Sequence, residues 1–138
     1  MSLVKPNLQT RYHVDFDWWR KNENDWHVHL SSLLCPEHKE MFATFQEGDL
    51  VDFVDPETGE VRPMDGIQQS ILSHCALQPG FVTGQTALVE AVFRTFLANG
   101  NSPLSSQQLS ERLGRPANTI LVTLSGARVY RGIRPILE

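Results

Sequence analysis

Cysteine is scarce in this chain, with two residues among 138, which excludes a secreted scaffold stapled by several disulfides. Long apolar runs are missing as well, since no stretch approaches the roughly 20 apolar residues of a membrane-spanning helix. The first seven residues lack the apolar segment of a secretory signal peptide. We therefore expect a cytoplasmic protein with no membrane partner.

Catalytic signatures are also absent. The sequence contains no Gly-x-Ser-x-Gly elbow around a nucleophilic serine and no glycine-rich phosphate loop. The composition is that of an ordinary globular protein, with 41% hydrophobic and 20% charged residues. A chain of 138 residues suits one domain or two small ones. These patterns assign no reaction, and we expect that the protein is not an enzyme.

Charge is distributed unevenly along the chain. Residues 1–99 carry seven Lys/Arg and fourteen Asp/Glu, a net charge of −7, whereas residues 100–138 carry five Arg and two Glu, a net charge of +3. Together they give the net charge of −4 of the whole chain. An acidic body with a basic end predicts that any anionic partner binds at the C-terminal end.

Residues 1–82 predict a small α+β part that begins with a polar arm. Apolar and polar residues alternate in part over residues 13–19 and again over 26–30, as in half-buried strands. Two alternating runs, 50–55 and 60–64, flank a Pro-Glu-Thr-Gly turn and predict a β-hairpin. Helices are predicted over residues 36–48, where Pro36 suits a first helical position, and over 66–78, where Asp65 can cap.

Residues 83–138 predict a second domain of three helices and a short strand pair. An apolar helix over residues 87–99 ends at Gly100, which can adopt a left-handed C-cap. Ser105 and Gln108 predict a capping box at the start of the next helix, and Gly114 permits a sharp turn into the third. Residues 128–135 then predict two short strands around Arg131-Gly132.

Residues 86–135 resemble the winged helix-turn-helix family. The resemblance is carried by Gln-Leu-Ser-Glu-Arg-Leu-Gly followed by Pro-Ala-Asn-Thr-Ile, with Leu109, Leu113, Gly114 and Ile120 as its apolar and turn positions. The family implies that the N-terminal residues of the third helix meet base edges in the major groove. In this chain those residues are Arg115, Asn118 and Thr119. Arginines on or near the wing can neutralise phosphates, and these are Arg128, Arg131 and Arg134.

The third helix is poorly equipped to recognise bases, because it carries no Lys or Arg after Arg115. Winged helices also serve in dimerisation and protein contacts, so the fold alone does not fix the function. The leading hypothesis is a cytoplasmic regulatory protein that binds double-stranded DNA through this module. The alternative is a protein-interaction module that forms a homodimer and binds no DNA.

A Cys/His constellation predicts a metal site in the first part. Cys35-x-x-His38 has the spacing of a two-ligand knuckle, and His74-Cys75 supplies a second pair. Two thiolates and two imidazoles suit a structural, tetrahedral zinc ion. Adjacent helical residues point about 100° apart, which argues against both members of the second pair binding one ion. One of the pair then binds, and the fourth ligand is His27 or His29, which share a face if residues 26–30 form a strand.

Other interpretations of the constellation stay open. Cys75 on an apolar helix face can be a buried small residue, and the two cysteines can form a disulfide, although a reducing cytosol disfavours it. Residues 25–30 resemble the strand motif of metal-dependent amidohydrolases, but that family needs a barrel of about 250 residues, so we regard the match as coincidental. A small metal-dependent enzyme, with an open position at a metal held by His27, His29, Cys35 and His38, is the second alternative function.

Overall fold

The structure is a computed structural model, and it describes residues 5–41, 50–54, 58–78, 80–126 and 128–136. These residues form seven α-helices, a 3-10 turn and two antiparallel sheets, a mixed α+β architecture. The helices are α1 (Phe16–Asn22), α2 (Trp26–Ser32), α3 (Pro36–Met41), α4 (Gly66–Ser73), α5 (Leu88–Ala98), α6 (Ser106–Leu113) and α7 (Ala117–Leu124). The strands are β1 (Arg11–Val14), β2 (Leu50–Val54), β3 (Val61–Asp65), β4 (Leu104–Ser105) and β5 (Ile133–Pro135). None of the described helices has the length and apolar character needed to cross a bilayer.

The chain divides into two compact units. The terminal unit consists of Met1–Glu23 and Val82–Glu138, and the central unit consists of Asn24–Phe81. The boundary predicted between residues 82 and 83 corresponds to one of the two junctions. The other junction, after Glu23, has no counterpart in the sequence-based division, because the first residues fold with the C-terminal elements.

The terminal unit is organised around a three-stranded sheet in the order β4-β1-β5. β1 pairs antiparallel on both sides, with Tyr12 opposite Leu104 in β4 and opposite Pro135 in β5. Tyr12, Val14 and Ile133 are almost completely buried. Since β4 has two residues and β5 has three, β1 supplies the backbone hydrogen-bond partners that join them into one sheet.

The strand predicted over residues 13–19 is wrong in its extent, because β1 ends at Val14 and α1 begins at Phe16. Asp15 caps α1 by accepting a hydrogen bond from Trp18 N–H at 3.0 Å. That hydrogen bond lowers the pKa of Asp15, and the neighbouring Arg134 guanidinium acts in the same direction. The cap therefore overrides the alternating pattern and turns the chain into a helix.

The predicted helix order of the C-terminal part is found in the described residues. Ser105 Oγ accepts from Gln108 N–H at 3.2 Å and Gln108 Oε1 accepts from Ser105 N–H at 2.9 Å, so the capping box is confirmed. Gly114, with φ of 67°, turns the chain from α6 into α7. Leu109 of α6 and Ile120 of α7 are completely buried. The winged helix-turn-helix itself stays a prediction.

The side chain of Asn101 forms two hydrogen bonds with the central strand of the sheet, β1. Its Oδ1 accepts from Val14 N–H at 2.8 Å and its Nδ2 donates to the Val14 carbonyl at 2.8 Å, from a backbone with φ of 63°. Asn101→Ala is expected to destabilise the terminal unit by about 3–4 kcal/mol, roughly 1 for each of the two hydrogen bonds and about 1–2 for a left-handed alanine. Urea unfolding, followed by NMR signals of this unit, measures the loss. Asn101→Gly should fall between wild type and alanine, and an unchanged Asn101→Gly would show that the Val14 hydrogen bonds contribute nothing.

The central unit packs α2 against α4. Trp26, Leu30 and Leu33 recur at helical spacing and are buried, whereas Val28 is 73% exposed. The strand predicted over residues 26–30 is therefore wrong, since a strand would have placed Val28 on the same face as Trp26 and Leu30. Five alternating residues fit both the two-residue period of a strand and the 3.6-residue period of a helix. The apolar residue at position 33 favours the helix.

The predicted β-hairpin is confirmed, with β2 and β3 paired from Leu50 opposite Asp65 to Val54 opposite Val61. Residues 55–57 of its predicted turn lie outside the described residues. The helix predicted over residues 36–48 begins at Pro36, and residues 42–49 of that prediction also lie outside. The helix predicted over residues 66–78 ends earlier, at Ser73. This early end changes the backbone at His74 and Cys75, the second pair of the predicted metal site.

Candidate metal centre

Four side chains of the central unit converge on one point. They are Cys35, His38, His74 and Cys75, and their candidate ligand atoms all lie within 4.8 Å of one another. We call these four residues the Cys/His cluster. All four were predicted from the sequence, and the fold brings them together from the start of α3 and the end of α4. Cys75 is buried and the other three are half-buried.

The first pair of the Cys/His cluster lies at the start of α3. Cys35 precedes the helix and its carbonyl accepts from Lys39 N–H at 2.9 Å, which is the first helical hydrogen bond. Pro36 follows at the first helical position, where its fixed φ is favourable and its missing N–H costs nothing. The side chains of an N-cap residue and of the third helical residue are neighbours. His38 Nδ1 accordingly lies 3.2 Å from Cys35 Sγ.

The second pair reaches the same point because α4 does not continue through it. After Ser73 the backbone of His74 adopts φ of −140° and ψ of −61°, and a 3-10 turn begins at Cys75. Adjacent side chains point about 100° apart only in a continuous helix. Because α4 ends before His74, the side chains of His74 and Cys75 can both reach the cluster. Cys75 Sγ lies 3.5 Å from Cys35 Sγ, and His74 Nδ1 also lies 3.5 Å from that sulfur.

The distances between these atoms suit a tetrahedral metal ion. Zn–S bonds of about 2.3 Å and Zn–N bonds of about 2.0–2.1 Å place two ligand atoms of a tetrahedron roughly 3.3–3.8 Å apart. The three distances measured from Cys35 Sγ are 3.2, 3.5 and 3.5 Å. The His38 and His74 rings have centroids 4.4 Å apart and planes inclined by 46°. These three distances therefore match the spacing of a tetrahedral site, and the four residues together can hold a metal ion.

Burial shapes the electrostatics of the Cys/His cluster. Cys75 is 2% exposed and continues the buried face of α4 that carries Ile67 and Ile71. Burial raises the pKa of the Cys75 thiol, because a thiolate is poorly solvated among apolar side chains. A bound cation would stabilise that thiolate, since the thiolate is the form that binds metal. The site thus combines an apolar inner wall with ligands that favour a soft or borderline cation.

The alternative ligands His27 and His29 do not belong to the cluster that the described residues form. Both lie on α2, where residues two apart point to different sides of the helix. The His27 ring instead packs against Trp26, with centroids 4.9 Å apart. The enzyme hypothesis required both histidines at one metal, and the helical conformation removes the shared face on which it depended.

The residues predicted to contact DNA from the third helix lie in the terminal unit and differ in exposure. Asn118 and Thr119 are exposed in the first turn of α7. Arg115 instead donates hydrogen bonds to the backbone carbonyls of Gly84, at 3.3 Å, and of Thr86. Its guanidinium therefore ties the segment before α5 to the turn between α6 and α7.

The three arginines predicted to lie on or near a wing also have different surroundings. Arg134 forms an ion pair with Asp15 at 3.1 Å, and Arg131 forms one with Glu23 at 3.8 Å. The Arg128 guanidinium lies 4.9 Å from the centre of the Tyr130 ring, and its side chain is exposed. Two of the three cations thus face acids from the first 23 residues, which the sequence analysis had assigned to the other part.

The charge asymmetry is sharper between the folded units than along the sequence. The terminal unit carries ten Lys/Arg and six Asp/Glu, a net charge of +4, and the central unit carries two and ten, a net charge of −8. The positive charge is therefore not confined to the C-terminal residues, because Lys5, Arg11, Arg20 and Lys21 belong to the same unit.

Among the described residues, the Cys/His cluster has the most specific chemistry. No family model, no curated protein and no solved structure matches this chain, so its function is argued from the cluster and from the charge of the two units.

Proposed function

We propose that this chain is a small regulatory protein whose central unit is organised by one zinc ion, bound by the Cys/His cluster. The observation that carries the proposal is the convergence of two sulfurs and two ring nitrogens within 4.8 Å. Four protein ligands of this kind are typical of structural zinc, because a catalytic zinc keeps one position open for water or substrate. The proposed role of the ion is to join the start of α3 to the end of α4.

The size of the central unit supports a structural metal. The unit spans only Asn24–Phe81, and a core of that size rarely contributes more than about 3–5 kcal/mol by itself. Its sheet has two strands, and an isolated two-stranded hairpin is marginally stable in water. Structural zinc contributes an apparent 10–16 kcal/mol, roughly, at neutral pH. Metal binding therefore decides whether such a unit is folded.

Replacing one ligand tests the proposed site against a matched histidine. His38→Ala removes one of four metal bonds, about a quarter of the binding free energy, and should weaken zinc binding roughly 100-fold or more. His29→Ala, on α2 and outside the cluster, should leave the affinity unchanged. Elemental analysis should give about one zinc per wild-type chain, and competition with a chromogenic chelator measures the affinities. A metal-free wild-type protein, or equal losses in the two variants, would overturn the zinc site.

A second candidate function is DNA binding by the terminal unit as a winged helix-turn-helix. The net charge of +4 and the order of α5, β4, α6, α7 and β5 favour it. Arg115 is engaged in hydrogen bonds within the unit, and Arg131 and Arg134 are engaged in ion pairs, so fewer cations can reach phosphates. The proposed contacts are therefore those of Arg128, Asn118 and Thr119, and the binding is mainly to phosphates with little sequence preference.

Salt dependence tests this candidate. Arg128→Ala should weaken binding to a mixed duplex uniformly across sequences and reduce the salt slope by about 1. Arg134→Ala should have a smaller effect, because that guanidinium pairs with Asp15. Fluorescence anisotropy over a salt series gives both values. Absence of binding at low salt would sink the DNA candidate.

Failure of the DNA candidate would favour the homodimer alternative. α7 carries no charged residue, and its Val122 is 72% exposed, which suits a protein contact. A concentration-dependent mass in sedimentation that Val122→Asp reduces would support dimerisation through α7. A strict monomer at high concentration would contradict it.

A further inference from the structure

We propose that the Cys/His cluster is also a thiol switch, in which a peroxide converts Cys35 and Cys75 into a disulfide and so releases the metal. This inference rests on the proposed zinc site and adds its regulation. The observation that carries it is the direct approach of the two sulfurs, with Cys35 Sγ 3.5 Å from Cys75 Sγ. Both cysteines are unbridged in the structure.

The geometry allows the bond to form with a small displacement. Disulfide sulfurs lie about 2.0 Å apart, so the two atoms must close a gap of roughly 1.5 Å. Cys35 lies just before α3 and Cys75 lies just after α4, in the 3-10 turn. Residues at the ends of helices can shift without breaking the hydrogen bonds of the helix interior. These are the only two cysteines in the chain, so each has one intramolecular partner.

The different burial of the two thiols sets the order of the reaction. Cys35 is half-buried, whereas Cys75 is buried, so the peroxide meets Cys35 first. The Cys35 thiolate attacks one peroxide oxygen, which forms a sulfenic acid and expels hydroxide. The Cys75 thiolate then attacks the Cys35 sulfur, forms the S–S bond and expels the second hydroxide. The two thiolates lose two electrons, and the hydroxides take up two protons and leave as two water molecules.

Disulfide formation removes half of the ligand set. Sulfur in a disulfide is no longer a thiolate, and the thiolate is the form that binds metal. The site then keeps only the neutral imidazoles of His38 and His74, and it has lost two negative charges. Two imidazoles fall short of the four ligands that structural zinc takes. The zinc dication is therefore expected to leave as the disulfide forms.

The test is a hydrogen peroxide titration of the zinc-loaded full chain. A chromogenic chelator measures the zinc released, and mass spectrometry after thiol alkylation measures the Cys35–Cys75 disulfide. We expect about one zinc released for each disulfide formed, since one ion occupies four ligands, and recovery of binding after a thiol reductant. His29→Ala, outside the Cys/His cluster, should form the disulfide and release its zinc at the same peroxide concentrations as the wild-type chain.

The outcomes separate the switch from the zinc site. Wild-type protein that binds zinc and keeps it while the disulfide forms would overturn the switch and leave the zinc site standing. Zinc loss without formation of the disulfide would also overturn the switch and leave the zinc site standing. A wild-type chain that takes up no zinc would overturn the proposed function and the switch with it.

Discussion

Removal of the metal by a chelator is expected to unfold the central unit and to leave the terminal unit folded. A structural zinc ion contributes an apparent 10–16 kcal/mol, roughly, in zinc-finger peptides, which exceeds what a core of this size provides alone. Hydrogen exchange read by mass spectrometry on the full chain resolves the two units. Peptides from Asn24–Phe81 should lose their protection, and peptides that contain β1 or α5 should keep it.

The Cys/His cluster lies within one unit, and this explains why the effect of metal removal should be confined to that unit. The Cys/His cluster joins α3 to α4, and every one of its residues belongs to the central unit. The terminal unit has its own core, which includes Trp19 packed edge-to-face on Phe93 with ring centroids 5.1 Å apart. Zinc should restore the lost protection, whereas magnesium should not, because magnesium prefers oxygen ligands.

Two results would contradict this prediction. Unchanged protection of the central unit after complete zinc removal would mean that its apolar core suffices. Loss of protection in both units would mean that they fold as one cooperative body. The control variant His29→Ala should need the same chelator concentration as wild type, and His38→Ala should unfold at a lower one.

The residues of the Cys/His cluster were predictable from the sequence because half of the cluster is local. The Cys-x-x-His spacing at a proline-marked helix start places two side chains together without help from the rest of the fold. The other half was not local. No residue near Ser73 marks the end of α4, and Pro79-Gly80 suggests a later one. The break that lets His74 and Cys75 converge became visible only in the backbone of His74.

The position of β1 was not predictable from local patterns. Its pairing with β4 and β5 joins residues about 90 to 120 positions apart, and such pairing depends on which backbone groups remain without partners elsewhere. The same long-range arrangement brings Asp15 to Arg134 and Glu23 to Arg131. Charge counted along the sequence therefore overstated the free positive charge around Arg131 and Arg134. It also missed the four positive residues among the first 23.

Gly132→Ala is expected to be among the most destabilising single substitutions in the terminal unit. Gly132 has φ of 73°, and a Cβ there would lie 2.9 Å from the Asp15 carbonyl oxygen and 2.9 Å from Trp19 Cβ. The Gly132 carbonyl also accepts a hydrogen bond from Asp15 N–H at 2.7 Å. The left-handed backbone costs an alanine about 1–2 kcal/mol. The clash with fixed backbone adds typically 1–3 kcal/mol, which gives a loss of about 2–5 kcal/mol.

Gly114 provides a matched control for the steric part of this prediction. Its φ of +67° is nearly the same, but a Cβ at Gly114 would meet no atom within 4 Å. Gly114→Ala should therefore lose only the backbone contribution, about 1–2 kcal/mol. Urea unfolding of both variants, followed through NMR signals of the terminal unit, gives the difference. Equal losses would mean that the turn at Gly132 moves away from Asp15 at no cost, and that its close approach to the start of α1 does not stabilise the sheet.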